Sequence, residues 1–186
     1  MLLLIVGLLL WSLAHLFKRL APEARASLGD RGKGLVALAI LVSVVLMWIG
    51  YRHAPVIPIY NTPAWTIHLN NLLMLVAIYF LGISGAKGRL SARFRHPMLG
   101  GIKIWAIAHL IVNGDLASIL LFGGLLAWAV VEVILINRQD RGWTPPAPGP
   151  VAKDIRLGVI TLVLYAAIVG IHWWLGVWPL PGTAPG

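Results

Sequence analysis

Long apolar runs alternate along this chain with short basic segments, and that alternation limits the possible folds more than any other feature. Of fifteen Lys and Arg residues, Lys18, Arg19, Arg25, Arg31 and Lys33 follow the first run. Lys87, Arg89, Arg93 and Arg95 follow the third, and Arg138, Arg141, Lys153 and Arg156 follow the fifth. Arg52 is the one base in the other connecting segments, and Lys103 the one base inside an apolar run. Basic loops stay in the cytoplasm during insertion, so the alternation predicts both the number of spans and their direction. The expected fold is an all-α integral membrane protein with both termini on the non-cytoplasmic side.

Composition agrees. Charged residues are only 11% of the chain and apolar ones 59%, against roughly 25% charged in a soluble domain. A soluble fold this apolar could not cover its own surface with polar groups. The net charge of +9 does not mark a nucleic-acid binder, because the bases sit on loops between apolar runs instead of forming one basic face. They act as topology signals and as partners for anionic headgroups, each worth about 1 kcal/mol near the surface. The absence of cysteine excludes disulfides, thiolate ligands and covalent C-x-x-C-H haem attachment. The run from Leu2 to Phe17 lacks a positive leading segment and carries its charges, Lys18 and Arg19, at the far end. It reads as an uncleaved first helix and not as a signal peptide.

A span needs ~20 residues, with ~17 tolerable. Six are expected, at about 1–18, 34–51, 66–86, 97–113, 115–137 and 158–179. They form one domain over 1–179, followed by a frayed Pro/Gly tail at 180–186. Asn113-Gly114-Asp115 separates the fourth and fifth spans as a tight turn, with Asp115 placed as an N-cap. The segment from His53 to Trp65 holds Pro55, Pro58 and Pro63 and should be neither helix nor ladder strand. Thr144 to Pro150 reads as a polyproline-like spacer. Trp48, Tyr51, Tyr60, Trp65, Trp173, Trp174 and Trp178 fall at the outer interface on this topology, forming an aromatic belt.

Ionisable side chains at membrane depth are expensive and mark function. His15 lies about one turn from the inner boundary of the first span, where either headgroup contact or a functional role fits. Trp105, His109 and Asn113, four residues apart, share a helix face. An imidazole as deep as His109 suits either a hydrogen bond to a neighbouring helix or a ligand or proton role. His53, His68 and His172 sit near outer span ends, where three imidazoles at one depth could bind a metal; aromatic neighbours and the lack of a carboxylate favour interfacial anchoring instead. Lys103 should snorkel to the inner interface or pair with a carboxylate, Glu132 being the expected partner. Arg95-His96-Pro97 opens the fourth span, where a helix N-terminus with Arg93 and Arg95 suits an anionic group. Gly100-Gly101 and Gly123-Gly124 permit close helix approach. No P-loop, G-x-G-x-x-G, G-x-S-x-G or H-E-x-x-H motif is present.

The stretch Arg95-His-Pro-Met-Leu-Gly-Gly-Ile-Lys-Ile-Trp-Ala-Ile-Ala-His109-Leu-Ile-Val-Asn-Gly-Asp115-Leu-Ala-Ser118 resembles the signature of the NnrU family. Trp11-Ser-Leu-Ala-His15 and Leu28-Gly-Asp-Arg-Gly-Lys33 fit the same pattern, and the resemblance covers essentially the whole chain. It implies a multi-pass protein of the bacterial inner membrane associated with denitrification, in the production of active nitrite and nitric oxide reductases. The family is similar to the plant zeta-carotene isomerases, haem b proteins that isomerise a polyene double bond. Residue by residue, this implies non-covalent haem b with His15 and His109 as the iron ligands. Arg95, His96, Lys103 and Asn113 would lie beside the cofactor. The isomerases carry a cysteine three residues before the second ligand, where this chain has Ala106, so a thiolate switch does not transfer. A haem-dependent cis–trans isomerase acting on a long apolar polyene is the alternative function. A weaker resemblance to isoprenylcysteine carboxyl methyltransferases rests on R-H-P-x-x-x-G alone, since the later glutamate pair and tyrosine-rich segment are missing after Val133.

Each ligating imidazole needs an acceptor for its other N–H, and Ser12 and Asn113 are candidates. His109 lies twelve residues past Pro97, ~18 Å along a helix, or only ~9 Å past Lys103 if that residue marks the interface. His96 is the reserve partner for His15. For topology, reporter fusions at Gly186 should read as external and fusions near Pro148 as cytoplasmic. Cytoplasmic activity at Gly186 would overturn the orientation.

Overall fold

Inside hydrocarbon a chain can satisfy its backbone only as a helix or a closed barrel, and these runs are helices. The computed structural model describes residues 1–182 and contains α1 Leu2–Leu20, the short α2 Pro22–Ser27, α3 Arg31–Arg52, α4 Thr66–Ala86, α5 Pro97–Val112, α6 Leu116–Gln139 and α7 Val151–Trp174. Five of them (α1, α3, α4, α6 and α7) are long and apolar enough to cross a membrane, and α5 is a shorter apolar helix. Among the described residues there is no strand. Pro58 and Asp115 form an isolated antiparallel bridge.

The expected elements are present, with shifted ends. The last helix begins at Val151, seven residues before the expected span, because Pro150 caps it in extended conformation and its first turns run through Lys153, Asp154 and Arg156. It stops at Trp174 instead of continuing to 179, and Gly176 at φ 84 turns the chain away. Of the expected frayed tail, residues 183–186 lie outside the described residues.

The helices form two units, one of Met1–Asn61 with Asn113–Asp140, the other of Thr62–Val112 with the segment from Arg141 onward. In the first, α1 and α3 run antiparallel in close contact. A Cβ on Gly7 would meet Met47 and the Ser43 carbonyl at 2.8–2.9 Å, and one on Gly50 would fall on the Leu4 backbone. Ser43 is fully buried at this seam and donates to Ile40 O at 2.6 Å. Small residues at helix interfaces are how membrane helices pack where no hydrophobic force drives them together. The third long helix of this unit, α6, runs parallel to α1: Leu8 meets Gly124 near one end and Arg19 meets Gln139 near the other.

In the second unit α4 packs antiparallel on both α5 and α7. A Cβ on Gly101 would meet Ala77 O at 2.9 Å, and buried Asn70 donates to Ala108 O at 2.8 Å. On the other side Tyr165 donates to Asn71 Oδ1 at 2.9 Å, and Tyr79 donates to Asp154 O at 3.2 Å. These directions bring most of the bases of each unit to one end, Arg52 lying at the other end of α3 and Lys103 within α5. In the first unit that end holds Lys18, Arg19, Arg31, Lys33 and Arg138; in the second it holds Lys87, Arg89, Arg93, Arg95, Lys153 and Arg156.

The outward faces stay apolar. Along α7, Ile155, Val159, Leu162 and Val163 are each more than half exposed, a face that only a lipid or protein environment would cover. Of the expected belt, Trp48, Trp65, Trp173 and Trp174 are exposed, whereas Tyr51 turns inward and the Trp178 indole nitrogen is buried.

Overpacking a seam between backbones costs about 1–3 kcal/mol. Gly50→Ala should lower the unfolding free energy in detergent by that amount. Gly170→Ala, whose added Cβ meets nothing within 4 Å, should leave stability unchanged or slightly raised. Equal effects at the two positions would contradict the α1–α3 seam.

Candidate functional site

In the first unit a polar and aromatic cluster forms where α1 and α6 run side by side. Trp11, His15 and Arg19 recur every four residues on α1 and therefore share a face. On α6 the matching residues are Gly124, Trp128 and Glu132, with the same spacing. They follow a π-helical turn, Ile119–Gly123, whose extra residue rephases everything beyond it. Gly124 meets Leu8, and from there each turn of α6 meets a turn of α1.

The His15 ring lies 4.1 Å from the Trp11 ring and 4.7 Å edge-on from the Trp128 ring, with the two indoles 5.2 Å apart in a T-shape. These separations are those of favourable aromatic pairs. His15 Nδ1 donates to Trp11 O at 2.9 Å. Because a carbonyl can only accept, this bond fixes the tautomer and leaves the lone pair on Nε2. The acceptor is thus the backbone one turn back, and not Ser12, whose hydroxyl donates to Leu8 O at 2.8 Å.

Glu132 finds a cation at Arg19, whose Nε lies 3.8 Å from Oε1, a different base from the Lys103 expected from sequence. The same arginine contacts Gln139 Oε1 at 3.3 Å, and Gln139 Nε2 returns a bond to Arg19 O at 2.9 Å. Three polar atoms in this cluster are buried without a hydrogen-bond partner: the indole nitrogens of Trp11 and Trp128 and Glu132 Oε2. Each unmet group costs roughly 1–3 kcal/mol, and three together point to a place where a ligand supplies the missing partners. Trp11 belongs to the Trp11-Ser-Leu-Ala-His15 motif, whereas Trp128 and the role of Arg19 as the partner of Glu132 carry no signal in the sequence. The four-residue spacing was legible, but the rephasing that aligns α6 with α1 was not.

At the other end of this unit the turn 113–115 does what its sequence indicates. Asp115 caps α6, accepting from Ser118 N at 3.0 Å and from Ser118 Oγ at 2.5 Å. Ser118 having given its proton to the carboxylate, Tyr51 OH donates to Ser118 Oγ at 2.9 Å. Ile59 N and Tyr60 N donate to Gly114 O at 2.8 and 3.0 Å, and Leu116 N donates to Ile57 O at 2.9 Å. Tyr60 OH donates to Asn113 O at 3.0 Å. Burial, and then the Asp115 carboxylate, hold the Tyr60 phenol above its ordinary pKa, so it stays a donor here.

In the second unit His109 lies one turn before the C-terminal end of α5, away from the base-rich end. Its Nδ1 donates to Trp105 O at 2.9 Å, and the two rings are 5.1 Å apart. The carbonyl of the preceding residue, Ala108, is held by buried Asn70. His53 and His172 make the same bond to the carbonyl four residues back, so this geometry fixes a tautomer without selecting a site. Arg95 and His96 stand at the opposite end, ahead of Pro97, with the Arg95 guanidinium 5.9 Å over the Trp143 ring. Lys103 lies on α5 between these ends and is half-buried. Among the described residues no cluster of three or more His, Asp or Glu is placed to hold a metal ion.

A family model described as NnrU protein matches residues 3–179. No curated protein and no solved structure matches the chain.

The α1–α6 pairing can be tested by a double-mutant cycle. Arg19→Gln should destabilise by about 1–2 kcal/mol, below the ~3–5 typical of a fully buried pair because Arg19 keeps some exposure. Adding Glu132→Gln should recover part of that loss. Strict additivity in denaturant unfolding would show that the two do not interact.

Proposed function

The chain belongs to the NnrU family, and on that basis we propose that it is a haem b-binding protein of the bacterial inner membrane that supports denitrification. The proposed role is in the production or maturation of nitrite and nitric oxide reductases. We further propose six spans, with α5 as the sixth, and termini on the non-cytoplasmic side. The gathering of bases at one end within each unit supports that orientation, because such ends stay in the cytoplasm.

The haem ligands proposed are His15 and His109, the positions implied by the family resemblance. The observation that carries the reading is the setting of His15. Its Nε2 lone pair is fixed by the bond to Trp11 O, two indole rings wall it, and their buried N–H groups have no partner within the chain. The residues therefore fit a flat, largely apolar cofactor with polar edges. A bound haem held by two imidazoles would supply an iron that exchanges electrons.

The chain's own contributions are separable. Trp11 O and Trp105 O orient the two imidazoles and raise their basicity as ligands. Trp11 and Trp128 exclude water around His15. Arg19 compensates Glu132, so the charge near His15 stays close to neutral. Lys103 and Asn113 on the His109 side, and His96 at the start of α5, are proposed cofactor neighbours. His96, next to Arg95 at the start of α5, is the alternative second ligand.

Detergent-purified protein should show a Soret band that His15→Ala abolishes or shifts. His109→Ala should do the same, whereas His53→Ala, His68→Ala and His172→Ala should leave it unchanged. Loss in His96→Ala with an unaltered His109→Ala spectrum would move the second ligand to His96. Full haem retention with wild-type spectra in both His15→Ala and His109→Ala would defeat the assignment. In cells, deletion should lower nitrite and nitric oxide reductase activity, and the His15→Ala gene should fail to restore it.

A further inference from the structure

The base-rich end of the second unit contains a partly open cavity of about 420 Å³, lined chiefly by Ser84, Lys87, Ser91, Phe94, Arg95 and Trp143. Two walls differ in chemistry. Lys87 and Arg95 bring positive charge, and no carboxylate joins them in the lining. Phe94 and Trp143 bring apolar faces, the former packed on Phe80 at 4.9 Å and the latter beneath the Arg95 guanidinium.

Bases outnumber carboxylates in this unit. Among the described residues this unit has one carboxylate, Asp154, against the bases Lys87, Arg89, Arg93, Arg95, Lys103, Arg141, Lys153 and Arg156. Asp154 is committed to backbone, accepting from Arg89 N at 2.7 Å and Leu90 N at 3.5 Å. Lys87 makes no ion pair among the described residues.

Lys87 also occupies an unusual backbone position. It ends α4 at φ 52, the left-handed conformation where Gly is the ordinary choice. It is the one non-glycine residue with positive φ among those described. Gly149 packs directly on the Lys87 carbonyl, so a Cβ there would collide with it. The segment carrying Trp143 is thereby held against the end of α4. A strained lysine, locked in place by a neighbouring loop, is an arrangement found at functional sites.

We propose that this cavity binds the phosphate and glycerol of an anionic phospholipid headgroup. Lys87 and Arg95 take the phosphate, and Phe94 and Trp143 take the root of the acyl chains. Ser91 Oγ has already given its proton to Gly88 O at 2.7 Å. It can therefore only accept, which suits a headgroup hydroxyl and not a bare anion. Size argues the same way, since the volume falls in the range of organic ligand sites, ~300–1,000 Å³, and exceeds what inorganic phosphate fills. Basic pockets at the cytoplasmic ends of membrane helices are suited to such headgroups. This site is independent of the haem reading: Arg95, which the family resemblance would set beside the cofactor, stands over Trp143 and is assigned here instead.

The test is native mass spectrometry of delipidated full-length protein titrated with phosphatidylglycerol, phosphatidylcholine or inorganic phosphate. Phosphatidylglycerol should bind in preference to phosphatidylcholine, and saturating inorganic phosphate should displace it only weakly. Lys87→Gln with Arg95→Gln should weaken phosphatidylglycerol binding on the order of 30-fold, from two contacts of the usual strength. Arg31→Gln with Lys33→Gln, in the other unit, should not. If the double variant fails to fold, Arg95→Lys, which keeps the charge and loses the stacked planar fork, should still weaken binding severalfold. Equal affinity for the two lipids, preferential uptake of inorganic phosphate, or unchanged binding in the folded variants would overturn the proposal. Removing haem should leave the lipid titration unchanged, so failure here and failure of the haem reading are separable.

Discussion

A bilayer offers no hydrogen bonds to a backbone, and every other feature of this protein follows from meeting that condition. The apolar runs become helices because only then does each N–H find a carbonyl four residues back. Once helical, they gain nothing from hydrophobic association, since lipid is as apolar as leucine. Close approach has to come from shape. That is the role of Gly7, Gly50 and Ser43 between α1 and α3, and of Gly101 against Ala77 between α4 and α5. The few polar side chains then act at high value, as Asn70 does in reaching across to the Ala108 carbonyl.

Against that background the cluster around His15 is expensive. A membrane helix pair could be sealed with leucine, yet α1 and α6 bring together an imidazole, two indoles, a carboxylate and a guanidinium. Part of the cost is offset internally by Arg19 and by the backbone bond to His15 Nδ1. The two indole N–H groups and one carboxylate oxygen are not satisfied. Groups left unmet in a low-dielectric setting are costly unless something else completes them, and this imbalance gives the proposed cofactor reading its physical basis. The base-rich end of the second unit shows the same logic in another form, with cations gathered and the one carboxylate withdrawn into a backbone cap.

Sequence determined the helical class, the membrane setting and the helix count to within the status of α5, because hydropathy and charge are local properties that need no neighbour to be read. It also placed the turn at 113–115, since Asn-Gly-Asp followed by an apolar run carries its own capping chemistry, and Asp115 does cap α6. His15 and His109 stood out because an imidazole amid apolar residues is conspicuous in one dimension. Tertiary structure alone decided the partners. Glu132 pairs with Arg19, distant in sequence, because a π-helical turn rephases α6. The imidazole acceptors are backbone carbonyls one turn back, because helix geometry places those nearer than any side chain. Lys87 is set apart by its left-handed backbone and by the loop packed on it, neither of which is written in the local sequence. Periodicity states which face a residue occupies; which face it meets depends on helix phase and direction, and those are set by packing between segments far apart in the chain.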